Sequence, residues 1–548
     1  MPSVRDQYAH KILCEYQDHA VPPTLPFPEP PNPLRRISDE PITIGIIGAG
    51  VAGLFTAMLL EKAIKNNGLN IRYEILEAER ADGRHPFGGR LWTHRFSDSR
   101  NDYYDRGAMR FPDIPWMKPV MDLFTELGLD NVKIPYIMSV DDNINFFNGE
   151  RLTNAQLQIK GQAKEYDPFR TQVKGITGTV DEMVKRQIEP FRTALKADFD
   201  KGWAALMKYD AWSTRGYMHL HGTAPYGTYD DQVISYLETF DTGTGLYDRA
   251  LSETVMDSLD FDYDDDQTWY CIQGGSSVIA EAMAQRLPRE KIVNGKRVTA
   301  IAPTSGHNLN VTISGERSPR TYSHVISTIP LSCLRMVDTS QCNFSWDLQS
   351  AMRSLRYDAA TKVGIKFKER WWERMGQVGG VSNTDRPTRV VVYPSYGIGG
   401  TDATMIVSYT WAQDALRFGA FSGNNDSEKV LLDVILKDLA DMHDIKDHSY
   451  LHELVSDYDV WSWYDQENAA GAFCAYALFG PGQFTQLYPQ ITKPAANGKF
   501  HFAGEAASVH HAWVLGALNS AARAVNELVS LDNRSQILPV FRYASGYM

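Results

Sequence analysis

Apolar positions along the chain follow two periods. Short β-branched runs, Ile42 to Ile47 (ITIGII) and Ile71 to Leu76, suit buried parallel strands, and a helical stretch from Leu54 to about Lys65 lies between them with Ala and Leu on its inner face. Further strands are predicted at Trp269–Ile272, His324–Ile329, Arg389–Tyr393 and Thr404–Trp411. Ile292 and Val298–Ile301 read as a strand pair around Asn294-Gly295, and the apolar His307–Ile313 completes a following hairpin. Ile144 to Leu152 reads as a hairpin turning at Asn148-Gly149. Helical spacing marks Trp116–Leu129 (closed by Gly128), Val278–Leu287, Val430–Met442 and the small-residue stretch from Gly516. From about Gly178 to Leu259 the pattern is helical throughout, as in a helical insertion. The His324–Ile329 strand predicts a second set of strands returning to the first domain, hence a mixed α/β fold with a Rossmann-type start. In the strand Val363, Ile365, Phe367, alternation puts Lys362 on a solvent-facing side with Gly364, Lys366 and Lys368.

Composition narrows the class. The 548 residues allow two to four domains, and 43% hydrophobic content is ordinary for a globular protein. No apolar run reaches membrane-span length, and MPSVRDQYAHKILCEYQ has no signal-peptide core. The expectation is a cytoplasmic protein, or a secreted one whose leader has been removed. Five scattered cysteines (Cys14, Cys271, Cys333, Cys342, Cys474) without CxxC spacing argue against a disulfide framework or a zinc site. A net charge of −12 disfavours nucleic acid and anionic membrane as partners. The proline-rich Val21–Pro33 reads as an extended arm, and the acidic run Asp260–Asp266 as a solvated loop.

The strongest chemical signal follows the first strand. Gly48, Gly50 and Gly53, with Ala49, Val51 and Ala52, form a Gly-x-Gly-x-x-Gly turn that opens the helix, and the second strand ends in Glu77-Ala78. The glycines admit a pyrophosphate at the helix N-terminus, and Glu77 accepts ribose hydroxyls while repelling a 2′-phosphate. This predicts a dinucleotide site without separating FAD from NAD. Gly88, Gly89 and Arg90 follow, either as a phosphate-neutralising loop or as a surface turn. Arg106 and Arg110 flank Gly107-Ala108-Met109; Arg110, between Met109 and Phe111, binds a ligand anion or pairs with an internal acid. His219 and His221 have no metal-ligand spacing, and no metal is expected. Near the C-terminus Gly504-Glu505, then His510, His511 and Trp513, precede the small-residue helix as a second polar platform.

Taken in order, Gly48–Gly53, GGR at Gly88–Arg90, GAMRFP at Gly107–Pro112, KYDAWSTRGYM, IQGGSS, ATK at Lys362, VVYP, and FAGE followed by HAW resemble the flavin amine oxidase superfamily, most nearly the L-amino acid oxidases. The likeness runs from about Ile42 to Leu528. It implies an N-terminal arm (1–40), a discontinuous FAD-binding domain (41–105, 260–350, 495–535), a substrate domain with a mixed sheet (106–177, 351–494) and a helical domain (178–259). It further implies FAD held by Gly48, Gly50, Gly53, Glu77, Arg90, Val298 and Glu505, with Gly88, Gly89, Gly107, Ala108, Met109, Arg110, Gly504, Trp513, Val514 and Ala517 beside it. By the same resemblance Arg110 grips a substrate carboxylate and Tyr393 assists; Ala512 and Trp513 line the pocket, and Lys362 holds a water near the flavin. Trp463 and Phe473 are candidates for an apolar side-chain pocket. The expected reaction is oxidation of an L-amino acid with O2, giving 2-oxo acid, ammonia and hydrogen peroxide, in a homodimer. The alternatives are an amide-forming 2-monooxygenase and an amine oxidase. The histidine base of venom-type members has no counterpart, since no histidine occurs between Gly222 and Gly306.

Overall fold

The strand Ile42–Ile47 sits at the middle of a parallel sheet in the computed structural model of this chain. The structure describes residues 4, 7, 8, 11, 41–67, 70–83, 85–162, 166–169, 173–260, 267–355, 357–473 and 483–531. The proline-rich arm, Cys14, Cys474 and most of the acidic run fall outside these residues. The chain forms two compact units. The first comprises residues 1–89, 279–355 and 482–548; the second comprises 90–278 and 356–481. Residues 90–105 and 260–278, grouped by the resemblance with the FAD-binding domain, thus belong to the second unit.

In the first unit five strands lie in the order Ile292–Val293, Ile71–Leu76, Ile42–Ile47, His324–Ser327 and Phe500–Phe502, all parallel. The apolar runs pair as expected, and the central strand Ile42–Ile47 is buried at every position but Thr43, as a strand covered on both faces is. The helix Val51–Asn67 packs against the C-terminal helix Val514–Leu531. The strand pair expected around Asn294-Gly295 does not form. Ile292–Val293 extends the parallel sheet, whereas Val298–Pro303 pairs with Leu309–Ile313 in a separate antiparallel sheet. Gly295 N–H donates to Glu79 O (2.8 Å) and Lys296 N–H to Glu77 O (2.7 Å), so the turn closes over the end of Ile71–Leu76 instead of folding the strand back.

In the second unit seven strands form one mixed sheet: Val455–Ser462, Ala360–Phe367, Thr404–Trp411, Val390–Val392, Val381–Thr384, Ile144–Phe147 and Glu150–Thr153. The last two are the expected hairpin, and Asn148 (φ 49°) with Gly149 (φ 78°) supplies the left-handed pair that a two-residue turn requires. The segment from residue 178 is helical as read: Val180–Ala197, Phe199–Met207, Thr214–Leu220, Asp231–Phe240 and Leu251–Asp260. Thr179 and Glu182 form a capping box on the first of these, and Asp230 caps the fourth, each cap contributing about 1 kcal/mol. Met183, Met218, Ile234, Leu237 and Tyr247 form the core of this segment. Among the described residues no helix is long and apolar enough to cross a membrane.

Candidate active site

On the first unit the glycine turn is built as its sequence demands. Gly48 lies at φ 101° and its N–H donates to Leu76 O (2.9 Å). A Cβ on Gly53 would lie 2.0 Å from Gly48 O, so only glycine lets helix and turn meet. The loop at Gly88-Gly89 folds onto the turn: Gly88 N–H donates to Ala49 O (2.8 Å), and a Cβ on Gly89 would come within 3.2 Å of the Gly50 Cα. Glu77 is buried, which raises its carboxyl pKa against the pull of backbone N–H groups. Its Oε2 accepts Ala49 N–H (2.7 Å) and its Oε1 accepts Glu79 N–H (2.8 Å). Each oxygen keeps a lone pair for a ribose hydroxyl. Asn294 holds the surrounding loops, donating to Glu79 O (3.1 Å) and Pro86 O (2.5 Å). The asparagine's side-chain role had no sequence signal beyond its turn position.

The second platform of this unit is equally ordered. Gly504 (φ 115°) donates its N–H to Ser520 Oγ (2.9 Å), and the buried Glu505 accepts Ala512 N–H on Oε1 (2.7 Å). Ala512 itself has φ 61°, a strained conformation for a side chain with a Cβ, and lies exposed before the partly buried Trp513 and Val514 and the buried Ala517. A glycine cradle, a helix N-terminus, an acid with spare lone pairs and a second small-residue helix start fit a flavin dinucleotide. Val298 is buried at the start of its strand, next to the turn that caps Glu77.

On the second unit the structure overturns the solvent-facing reading of Lys362. The side chain is 2% exposed, and Nζ donates to Asp105 O (2.9 Å) and Gly107 O (2.7 Å). It lies 4.7 Å from the Tyr409 ring centroid and 3.6 Å from Met109 Sδ. Burial lowers its pKa to about 7; the Asp105 carboxyl opposes the shift and Arg110 adds to it. The Asp105 carboxyl, bonded by Thr93 and Ser276, is itself raised by burial. Arg110 is half-buried and among the described residues has no carboxylate partner: Nη1 contacts Met138 Sδ (3.7 Å), and the guanidinium carbon lies 5.6 Å from the Trp269 ring centroid. Beside it is Tyr136, whose hydroxyl is buried without a well-formed hydrogen bond. Burial pushes that phenol to about 12, with the Arg110 charge pulling the other way.

Tyr393 is not part of this group. Val390 and Val392 face Tyr104 and Ile406, with Met109, Tyr136, Tyr409 and Trp411 closing over them. Strand alternation turns Val391 and Tyr393 to the opposite face, into a core with Trp371, Ile435 and Leu439. There the Tyr393 hydroxyl donates to Ser382 Oγ (3.1 Å) and is paired with His443 Nε2 (2.7 Å). Trp463 and Phe473 do meet in one cluster, with Trp92, Tyr409, Trp411 and Trp461. Arg90 donates to Ala472 O (2.8 Å) and lies 5.8 Å from the Tyr357 ring centroid. His219 is 3.3 Å from Asp231, and His221 packs against Trp212 and Tyr209.

Residues 51–529 match the family described as flavin-containing amine oxidoreductase. The chain belongs to that family. Its cofactor is accordingly FAD. The chain is 38% identical over 550 residues to a putative bifunctional amine oxidase of Dictyostelium discoideum, covering 94% of this chain but 48% of that protein. It is 37% identical to L-amino-acid oxidase 4 of Hebeloma cylindrosporum, covering 98% of this chain and 89% of the relative, and 31% identical to a putative L-amino-acid oxidase of Bacillus subtilis, covering 90% and 95%. Among solved structures, a putrescine oxidase mutant matches with a TM-score of 0.65 at 16% identity, covering 90% of this chain and all of that one. Cyclohexylamine oxidase from Brevibacterium oxydans matches with 0.64 at 17%, covering 89% and 100%. These two neighbours share the fold.

Proposed function

We propose that this member of the family is an L-amino acid oxidase. The observation that carries this reading is Arg110: a guanidinium set among Met138, Trp269 and Tyr136 with no carboxylate of the described residues beside it. A half-buried cation among apolar and aromatic groups is an incomplete ion pair, and an amino acid's carboxylate supplies two oxygens for its fork of donors. The Tyr136 hydroxyl adds a donor at the same place. An amine has no carboxylate and would leave Arg110 uncompensated. The relatives named L-amino-acid oxidase, aligned over 98% and 90% of this chain, favour the same reading.

Gly48, Gly50, Gly53, Glu77, Val298 and Glu505 would hold FAD, which would supply a two-electron acceptor for the substrate Cα–H that O2 can reoxidise. Arg110 orients the substrate through its carboxylate. Lys362, with a pKa near neutrality, holds or moves a proton and orders a water. Balanced, one amino acid, O2 and water give one 2-oxo acid, ammonium and hydrogen peroxide. Aerobic incubation with L-amino acids, D-amino acids and simple amines, with peroxide assay and product mass, tests the proposal. Peroxide and 2-oxo acid from L-substrates support it. An amide without peroxide would make the protein a monooxygenase, and turnover of amines alone would refute the role of Arg110.

A further inference from the structure

The two carbonyls that hold Lys362, those of Asp105 and Gly107, bracket Arg106. Its side chain is buried. Nε donates to Asp459 Oδ2 (2.9 Å) and Nη2 to Asp459 Oδ1 (2.5 Å). The guanidinium lies against two indoles that themselves meet edge to face, 3.9 Å from the Trp461 centroid and 5.0 Å from that of Trp92. Its own carbonyl accepts Trp463 Nε1–H (2.8 Å). Asp459 also accepts the Tyr104 hydroxyl, and His94 Nδ1 lies 3.8 Å away. The pairing reaches back to the lysine's own strand. Asp459 is in register with Gly364, two residues along from Lys362, and Lys362 is in register with Trp461. A Cβ on Gly364 would meet the Tyr104 ring at 2.3 Å, so the glycine is what lets Tyr104 lie across the strand and reach Asp459.

A buried bidentate ion pair packed against two indoles is a rigid joint. Surface ion pairs do not need such enclosure, and a purely structural pair has no reason to straddle the only two peptide carbonyls, among the described residues, that accept Lys362 Nζ. We propose that the Arg106–Asp459 pair is a positioning device for Lys362, fixing the peptide carbonyls that hold its ammonium. The inference rests on the role given above to Lys362. The charged and titratable groups around that ammonium are the Asp105 carboxyl, Arg110 and Tyr409. Releasing the carbonyls removes acceptors that favour the charged form, so the lysine would lose its proton at lower pH.

The test is a double-mutant cycle. Arg106→Met and Asp459→Asn are made alone and with Lys362→Met, and flavin reduction and reoxidation are followed by stopped flow. Arg106→Met slows reoxidation about tenfold and adds less than about twofold in the Lys362→Met background, because residues acting through one another are not additive. The pH midpoint of reoxidation moves down in Arg106→Met, and hydrogen exchange of residues 104–111 rises in the protein without substrate. Asp459→Asn keeps the shape of the pair and gives the same pattern should Arg106→Met fold poorly. Multiplicative effects in the cycle, or an unmoved pH midpoint, overturn the inference. Wild-type reoxidation in Lys362→Met overturns the reading of the lysine, whereas a slow Lys362→Met beside wild-type Arg106→Met and Asp459→Asn overturns the positioning role alone.

Discussion

Lys362 releases its proton at a pH where an exposed lysine would keep it, because its ammonium has left water for two carbonyls, a thioether and a phenol ring. With a pKa of about 7 it is charged below neutrality and neutral above. Reoxidation of the flavin is therefore expected to show a pH step near 7 that Lys362→Met abolishes, with reduction little changed; a step that survives the substitution would assign it elsewhere. The linkage to stability has a definite sign. The unfolded lysine binds its proton up to about pH 10.4 and the folded one only to about 7, so the burial penalty is full below 7 and shrinks as pH rises through that window. Tyr393 makes the opposite point. Its hydroxyl serves His443, whose pKa burial lowers to about 4. Tyr393→Phe should cost about 1–2 kcal/mol in denaturant unfolding and leave the KM for amino acids within about twofold. A tenfold rise in KM would return Tyr393 to the substrate site.

At the level of elements, the strands and the glycine turn were legible because local chemistry decides them. Ile42–Ile47 is apolar and buried along nearly its whole length, Ile71–Leu76 alternates with Arg72 and Glu74 on its more exposed face, and Gly53 sits where a Cβ would strike Gly48 O. Gly53→Ala should therefore lower the flavin-to-protein absorbance ratio about tenfold, since an overpacked backbone contact must be relieved by moving helix or turn; full flavin content would show that the turn can yield. Lys362 was misread for a related reason. Alternation finds a polar face only where one face meets water, and Ala360–Phe367 is buried along nearly its whole length by a segment about 255 residues distant. Asn294-Gly295 is the usual hairpin dipeptide, yet the N–H groups of Gly295 and Lys296 go to carbonyls just past the end of a parallel strand. Arg106 and Asp459 lie 353 positions apart, so no local pattern could pair them. The Tyr393 assignment failed by one residue of strand register, which resemblance at the end of a strand does not fix.

Over the whole molecule, binding of FAD to the folded chain alone ties stability to the cofactor. Adding FAD to the apoprotein at about 100 times its Kd should stabilise the folded state by about 2.7 kcal/mol, read as a rise in Tm; an unchanged Tm with flavin present would contradict the cradle at Gly48–Gly53 and Glu77. The expected family was legible from the order of its blocks, whereas the substrate depends on the surroundings of one guanidinium. The decisive measurement is kcat/KM for L-leucine and for 3-methylbutylamine, its decarboxylated counterpart, in wild type and Arg110→Met. The wild type is expected to prefer the amino acid strongly and the variant to lose at least about tenfold of that preference, the worth of a charge-assisted pair. Equal or better use of the amine by the wild type, or an unchanged preference in the variant, would contradict it.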